Sequence, residues 1–313
     1  MDLAHLRYAV EIARTRSISQ AAENLYMGQP NLSRAIRDLE DELQIQIFRR
    51  TSRGVSITQD GEDFLRYARS IVLQADEIEN IYKNKKLPKQ RFSLCAPRVS
   101  YISEAFTRFT QLAAASHPEE QPFEFFYKET NSMKAINKVL NGDYDLAIIR
   151  YQTIFDKYFR EMFGEKKLTA ETIADFPYYV TLSACDPLAK KEVLLVQDLV
   201  HGIEILHADP YVPSLPTADL MKAESSEAVS RKVYVYERGS QFSLLENVPG
   251  AFMWLSRVPD DLLDKYGLVQ KSCADHTRRY KDVLIYRKNY KLTELDNLFV
   301  LELCRSKREH LDT

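Results

Sequence analysis

The chain opens with three short stretches of helical periodicity. Leu3, Leu6, Ala9, Val10 and Ala13 recur at the 3.6-residue period and predict a first amphipathic helix. Ser17 and Gln20 have capping-box spacing and predict a second, whose buried side is Ala21, Ala22 and Leu25. Tyr26-Met27-Gly28 reads as a tight turn. Pro30 then sits at the start of a third helix, where its missing N–H costs nothing, and Leu32, Ile36, Leu39 and Leu43 form that helix's apolar stripe. Gln29, Asn31, Ser33, Arg34 and Arg37 are left on its other faces. Ile45 to Arg50 and Val55 to Ile57 predict two short strands around a turn at Thr51-Ser52-Arg53-Gly54, with Gly54 supplying a positive φ.

A fourth helix begins after Thr58, its predicted N-cap. Phe64, Ala68, Ile71, Ala75, Ile78 and Tyr82 recur in alternating steps of four and three, a heptad seam suited to a second copy of the same helix. Packing on its own C-terminal domain is the alternative. Lysines 83, 85, 86 and 89 with Pro88 mark a polar hinge, and the domain boundary is expected near Pro88.

Beyond Arg91 strand and helix patterns alternate. Strands are predicted at 92–96, 123–127, 145–149, 178–182, 203–206, 233–236, 251–254 and 282–287, with helices near 100–113, 133–140 and 293–305. Alternating βα units imply an α/β fold with ligand crevices at strand C-termini.

Composition narrows the function. Glycine numbers 9 in 313 residues, nowhere clustered, so neither GxGxxG nor a Walker A loop is present. The histidines show no HxxxH or HExxH spacing, and no catalytic or metal residues and no cofactor are assigned. The four cysteines, Cys95, Cys185, Cys273 and Cys304, lie far apart. They read as buried thiols in a reducing cytoplasm, with a redox sensor as the alternative. No apolar run reaches membrane-spanning length and no signal peptide is visible, so a soluble, cytoplasmic protein is expected.

The formal charge is −2, yet it averages unlike parts. Residues 1–92 hold 15 Lys+Arg against 13 Asp+Glu, and the first 82 contain no lysine at all. Arginine's planar fork suits phosphate and guanine, whereas lysine acts as a point charge. In a helix-turn-helix, Gln and Asn of the third helix could read adenine, Arg guanine, and Ser would reach phosphate. Arg53 at the tip of a wing could enter a minor groove. A solvated hairpin that binds another protein is the competing reading.

These residues carry a family resemblance. Leu3, Leu6 and Tyr8 to Ala13, then Ser17-Ile18-Ser19-Gln20-Ala21-Ala22 with Leu25, then Gln29-Pro30-Asn31-Leu32-Ser33-Arg34 with Ile36, Leu39, Glu40 and Leu43, then Phe48, Arg50, Arg53, Thr58 and Gly61 resemble the LysR-type transcriptional regulators. The likeness runs ungapped over the first sixty residues. Gly28 departs from it, standing where the family usually has a capping serine. Downstream, Asn141-Gly142-Asp143-Tyr144-Asp145-Leu146-Ala147-Ile148 resembles a strand of the family's effector domain. Asp186-Pro187-Leu188-Ala189 resembles its HPLA segment, with Asp186 in place of histidine.

The resemblance implies a multidomain α/β architecture. Residues 1–60 would be a winged helix-turn-helix that binds DNA, and 61–90 a dimerising coiled-coil linker helix and hinge. Residues 91–313 would form an effector domain like the periplasmic solute-binding proteins, with lobe I at about 91–165 and 270–305 and lobe II at about 166–269. It also implies double-stranded DNA, a dimer or tetramer, RNA polymerase and a small-molecule effector as partners, and no membrane. Gln29, Pro30, Asn31, Ser33, Arg34 and Arg37 take the recognition-helix roles, and Arg50 and Arg53 the backbone and wing roles. The effector is expected in a cleft between the lobes, lined from strand ends by Arg98, Val99, Ser100, Thr130, Asn131, Ser132, Gln152 and Asp209, with Tyr151 and Tyr211 beside them. A carboxylate is the expected effector, with Arg98 as counter-charge; an ordinary salt bridge at Arg98 is the alternative. An enzyme or ligand-binding domain fused to a DNA-binding head is the second functional class.

Overall fold

A computed structural model describes residues 1–51, 54–83, 89–116, 122–208 and 228–311. The hinge at residues 84–88, Arg53, Asp209 and Tyr211 lie outside the described residues. The chain forms two compact units, the first built on Met1–Arg91 and the second on most of the remaining residues.

The first unit contains α1 (Leu3–Thr15), α2 (Ile18–Asn24), α3 (Gln29–Leu43), β1 (Phe48–Thr51), β2 (Gly54–Ile57) and α4 (Gln59–Lys83). Asp2 caps α1 by accepting from His5 N, and Ser17 caps α2 by accepting from Gln20 N. The Gln20 side chain does not close a capping box; it donates forward to Glu23 and Asn24. In the turn between α2 and α3 the left-handed residue is Tyr26 (φ 53°), an exposed position. Ala9, Ile12, Ala21, Ala22, Leu32, Ile36, Leu39 and Ile47 form one core. Leu65, on the first turns of α4, belongs to the same core. Ile71, Ile78 and Tyr82, further along the predicted seam, are exposed.

The wing is tied down from two sides. Val55 N donates to the carbonyl of Arg16, and a Cβ on Gly54 (φ 120°) would stand 2.6 Å from that oxygen. Glu40 Oε1 accepts from the backbone N–H groups of Ile47 (2.7 Å) and Phe48 (2.8 Å), which anchors the approach to β1.

In the second unit come β3 (Gln90–Ala96), α5 (Ser100–Ser116), β4 (Phe123–Glu129), α6 (Ser132–Leu140), β5 (Leu146–Gln152), α7 (Asp156–Glu165) and β6 (Leu168–Pro177). Next are β7 (Tyr179–Ser183), β8 (Val193–Leu194), β9 (Ile203–His207), β10 (Arg231–Val235), α8 (Arg238–Asn247), β11 (Ala251–Leu255), α9 (Asp260–Lys265) and β12 (Leu268–Cys273). The chain closes with β13 (Arg279–Arg287) and α10 (Glu294–His310). Two sheets result, with strand orders β4-β3-β5-β13-β6 and β10-β9-β11-β7-β12-β8. β5 pairs parallel with β3 and antiparallel with β13, buried as its apolar run requires. Phe92, Phe109 and Phe299 pack together at the centre of the first lobe.

The lobe boundaries shift from those expected. β6 pairs with β13 from Leu168 to Pro177, so the first crossing between lobes comes at Tyr178 rather than at residue 166. β12 pairs with β7 and β8 up to Cys273, so the return crossing lies after residue 273 rather than at 269. The reason is that β6 lies at a sheet edge with only Leu168, Ala174 and Phe176 buried, without the apolar run that marks a central strand.

Gly61 tests the packing of the first unit. A Cβ there would meet the Ile47 carbonyl oxygen at 2.2 Å, whereas one on Gly164 in α7 meets nothing within 4 Å. Gly61→Ala is expected to cost about 1–3 kcal/mol in urea unfolding. Gly164→Ala should gain about 0.5–1 kcal/mol. Equal effects of the two would contradict this account.

Candidate DNA interface and ligand cavity

On α3 the polar set divides by exposure. Gln29, Pro30, Asn31, Arg34 and Arg37 are exposed, as is Arg49 on β1. Ser33 is not: it is buried on the core side of the helix, next to Leu32, which corrects its placement on an open face. Gly28 caps α3 without a side-chain hydrogen bond, and Pro30 occupies the first turn. The first unit therefore presents glutamine, asparagine and arginine side chains from the exposed face of one rigid helix.

In the second unit a cavity of about 190 Å³ opens between the two sheets. Arg98, Val99, Ser100, Thr130, Asn131, Ser132 and Gln152 all line it. Their available chemistry differs from expectation in two cases. Ser132 Oγ donates to the Arg150 carbonyl (2.7 Å) and accepts from Arg150 N, so this hydroxyl fixes β5 to α6. Asn131 Oδ1 accepts from Lys134 N and caps α6. Ser100 Oγ accepts from Arg238, leaving its own proton to point elsewhere.

Arg150 is the lining residue that holds the lobes together. Its Nε and Nη2 donate to the two carboxylate oxygens of Asp282 at 2.7 and 2.6 Å. Nη1 reaches Ser256 Oγ, at the end of β11 in the other lobe, at 3.1 Å. The guanidinium lies over the Phe176 ring at 4.6 Å. Burial opposes its charge, but Asp282 outweighs burial and holds the guanidinium well above its usual range. Tyr101 also donates to Asp282, and burial together with that carboxylate's charge keeps its phenol protonated. Both crossing segments are pinned by aromatic stacking. Tyr178 stacks on Tyr280 at 3.7 Å, and His276 on Trp254 at 3.9 Å.

Arg238, the first residue of α8, makes a second tie between lobes. It donates to Ser103 Oγ (2.8 Å), Ser100 Oγ (3.1 Å) and Glu129 Oε1 (3.1 Å). Elsewhere Glu104, Glu309 and His310 bring potential ligand atoms within 4.8 Å of one another. Arg108 donates to both glutamates, so this group is an ion-pair network joining α5 to α10. The cysteines correct another expectation. Only Cys95 is buried; Cys185 and Cys304 are exposed, because they lie in the turn after β7 and on the open side of α10. Cys273 is half-buried, and burial with the Asp275 carboxylate pushes its thiol up to about 12.

Residues 3–62 match the family model described as the bacterial regulatory helix-turn-helix protein, lysR family. Among curated relatives, the transcriptional regulator BudR of Raoultella terrigena is 23% identical over 255 residues, covering 78% of this chain and 84% of its own length. The Hca operon transcriptional activator HcaR of Escherichia coli is 28% identical over 228 residues, covering 71% and 70%. Its helix-turn-helix is of the lysR family, and most of the chain is similar to LysR-type transcriptional regulators. Two solved structures share the regulator's fold. A full-length OxyR variant from Pseudomonas aeruginosa has a TM-score of 0.60 at 20% identity, covering 99% of this chain and 96% of its own. Full-length LysG of Corynebacterium glutamicum, solved with bound effector arginine, has a TM-score of 0.62 at 12% identity and covers 99% of both chains. BudR and HcaR are regulators, and this chain is a DNA-binding transcription regulator rather than an enzyme. No described helix is long and apolar enough to cross a membrane.

Sequence reading of the regulator missed Arg150, Arg238 and Gln241. Arg150 lies inside an apolar strand and Arg238 and Gln241 in a helix with little amphipathic pattern, so no periodicity singles them out. The one available signal for Arg150 is a lone charge interrupting the run Leu146 to Tyr151.

Removing Arg150 leaves Asp282 buried and unpaired. Arg150→Met is expected to destabilise the full chain by about 3–5 kcal/mol in urea unfolding, and adding Asp282→Leu to recover much of that loss. A double variant no more stable than the single one would contradict the pairing argument. His276 supplies a pH test. Burial, with the Arg278 charge, pulls its pKa from 6.5 to about 4. Between those values the unfolded chain binds the extra proton, so stability is flat above about 6.5 and falls as pH drops toward 4. His276→Phe, which keeps a ring on Trp254, should show a shallower fall of Tm from pH 7 to 4.5 than the wild-type chain.

Proposed function

We propose that this regulator reads its operator with Gln29, Asn31, Arg34 and Arg37 of α3, with Arg50 and Arg53 holding the backbone and minor groove. The carrying observation is that α3 presents these four side chains exposed on one helix whose other face is locked into the core. Pro30 opens that helix. Ser33, being buried, is assigned only a supporting role. The helix α4 supports pairing of two copies, since Ile71, Ile78 and Tyr82 of its heptad seam are exposed while Leu65 is spent on the chain's own core. A dimer, or a tetramer built from two, would present α3 to successive major grooves. The regulator acts in the cytoplasm, and RNA polymerase is the partner through which a promoter-bound regulator would act.

The second part of the proposal is that a small organic anion in the inter-lobe cavity modulates this activity. Support comes from the lining: Arg98, the start of α5 at Ser100, and Thr130, with no Asp or Glu among the described lining residues. A shift in lobe arrangement on binding would bias the two DNA-binding heads.

Two measurements check these readings. Gln29→Ala should relax preference at one or two base positions, at a cost of about 1–3 kcal/mol there. Arg53→Ala should weaken binding to all sequences and flatten its salt dependence. If both variants behave alike, the division between helix and wing is wrong. For the cavity, a panel of small carboxylates should raise the Tm of the full chain, and Arg98→Ala should reduce that rise; an unchanged rise removes Arg98 from the site.

A further inference from the structure

Gln241 carries a polar atom that the protein leaves unanswered. The residue is 1% exposed and lines the cavity, and its amide oxygen Oε1 is buried with no hydrogen-bond partner among the described residues. A buried acceptor without a donor is costly, so native proteins rarely keep one without a use. Its position says what the use is. Gln241 lies three residues beyond Arg238 on α8, close to the same helix face. Arg238 reaches Ser100 and Ser103 on the first turn of α5. Gln241 thus approaches from the second lobe the end of the cavity where α5 begins and where an anion would sit.

The walls restrict the occupant further. About 190 Å³ is a little more than the ~150 Å³ that accepts a benzene ring. Tyr151, Phe155, Phe159, Tyr178, Trp254 and Tyr280 supply aromatic surface around it. The donor that Gln241 requires is a neutral one. An ammonium would be buried with no carboxylate among the described lining residues, a poor exchange for its hydration. A hydroxyl donating to a neutral amide oxygen carries no such penalty.

We propose that the effector is a one-ring organic acid with a hydroxyl beside its carboxylate, and that Gln241 selects it by accepting a hydrogen bond from that hydroxyl. This rests on the reading of the cavity as the seat of an organic anion.

Three matched acids test it on the full-length chain by calorimetry: phenylacetate, mandelate and phenylglycine, which carry hydrogen, hydroxyl and ammonium at the same carbon. Mandelate should bind at least about tenfold more tightly than phenylacetate, with phenylglycine weakest. Gln241→Met should bring mandelate and phenylacetate within about twofold of each other. Gln241→Glu, a second variant of nearly the same shape, should move the preference from mandelate to phenylglycine. If wild-type chain binds phenylacetate and mandelate equally, or if the preference survives Gln241→Met, the hydroxyl inference is overturned and the anion reading stands. If none of the three binds at millimolar concentration, the anion reading fails and this inference fails with it.

Discussion

The second unit is organised around one buried ion pair. Arg150 and Asp282 sit on adjacent antiparallel strands at matched register, so their side chains meet on one face of the first sheet. A pair this buried survives only if every remaining donor is met, because the desolvation of two charges is large. The neighbours meet that demand: Tyr101 on the carboxylate, Ser256 on the third guanidinium nitrogen, Phe176 under the guanidinium plane. Two of these are ordinary lobe I residues, but Ser256 belongs to lobe II. The requirement to satisfy Arg150 therefore extends from the core of one lobe to the edge of the other. Arg150 also lines the cavity, so the network that ties the lobes borders the cleft.

Much of this was legible from residue patterns, and the gaps have physical causes. The first unit is readable because each of its helices packs one face on a shared core, so Leu32, Ile36 and Leu39 announce α3, and Ala21 with Ala22 announces α2. Central strands such as β5 are readable because both faces are apolar. Edge strands and short helices are not: β6 carries few core residues, β8 has two residues, and α8 has almost no amphipathic contrast. The lobe boundary was misplaced for that reason. Ser33 was misplaced because serine is small enough to be buried without breaking the stripe's pattern.

The cavity-lining residues show a further limit of pattern reading. Strand-end reasoning located Arg98, Ser100, Thr130 and Gln152 because one lobe supplies them in chain order. The other wall, with His207, Gln241 and Trp254, comes from strand and helix segments whose proximity exists only after the two sheets face each other. Residue type also misled about duty. Ser132 looks like a ligand donor, yet its proton goes to the Arg150 carbonyl of β5, and Asn131 spends its amide oxygen on the backbone N–H of Lys134 in α6. Polar side chains next to helix starts meet local N–H groups before they meet anything else.

The arrangement of arginines around the cleft bears on how strongly an anion can be held there. Arg150 is matched by Asp282 and Arg238 by Glu129, so two guanidinium groups near the site already have their charge met. An incoming carboxylate that drew on either one would have to leave a buried acid behind. On the proposed reading, its binding would draw on the α5 N-terminus, the lining hydroxyls, the aromatic walls and Arg98. Contacts of that kind are individually modest, a few tenths to about 1.5 kcal/mol each. A site built this way would bind reversibly, and would leave the strongest electrostatic interactions to fix the two lobes rather than the ligand.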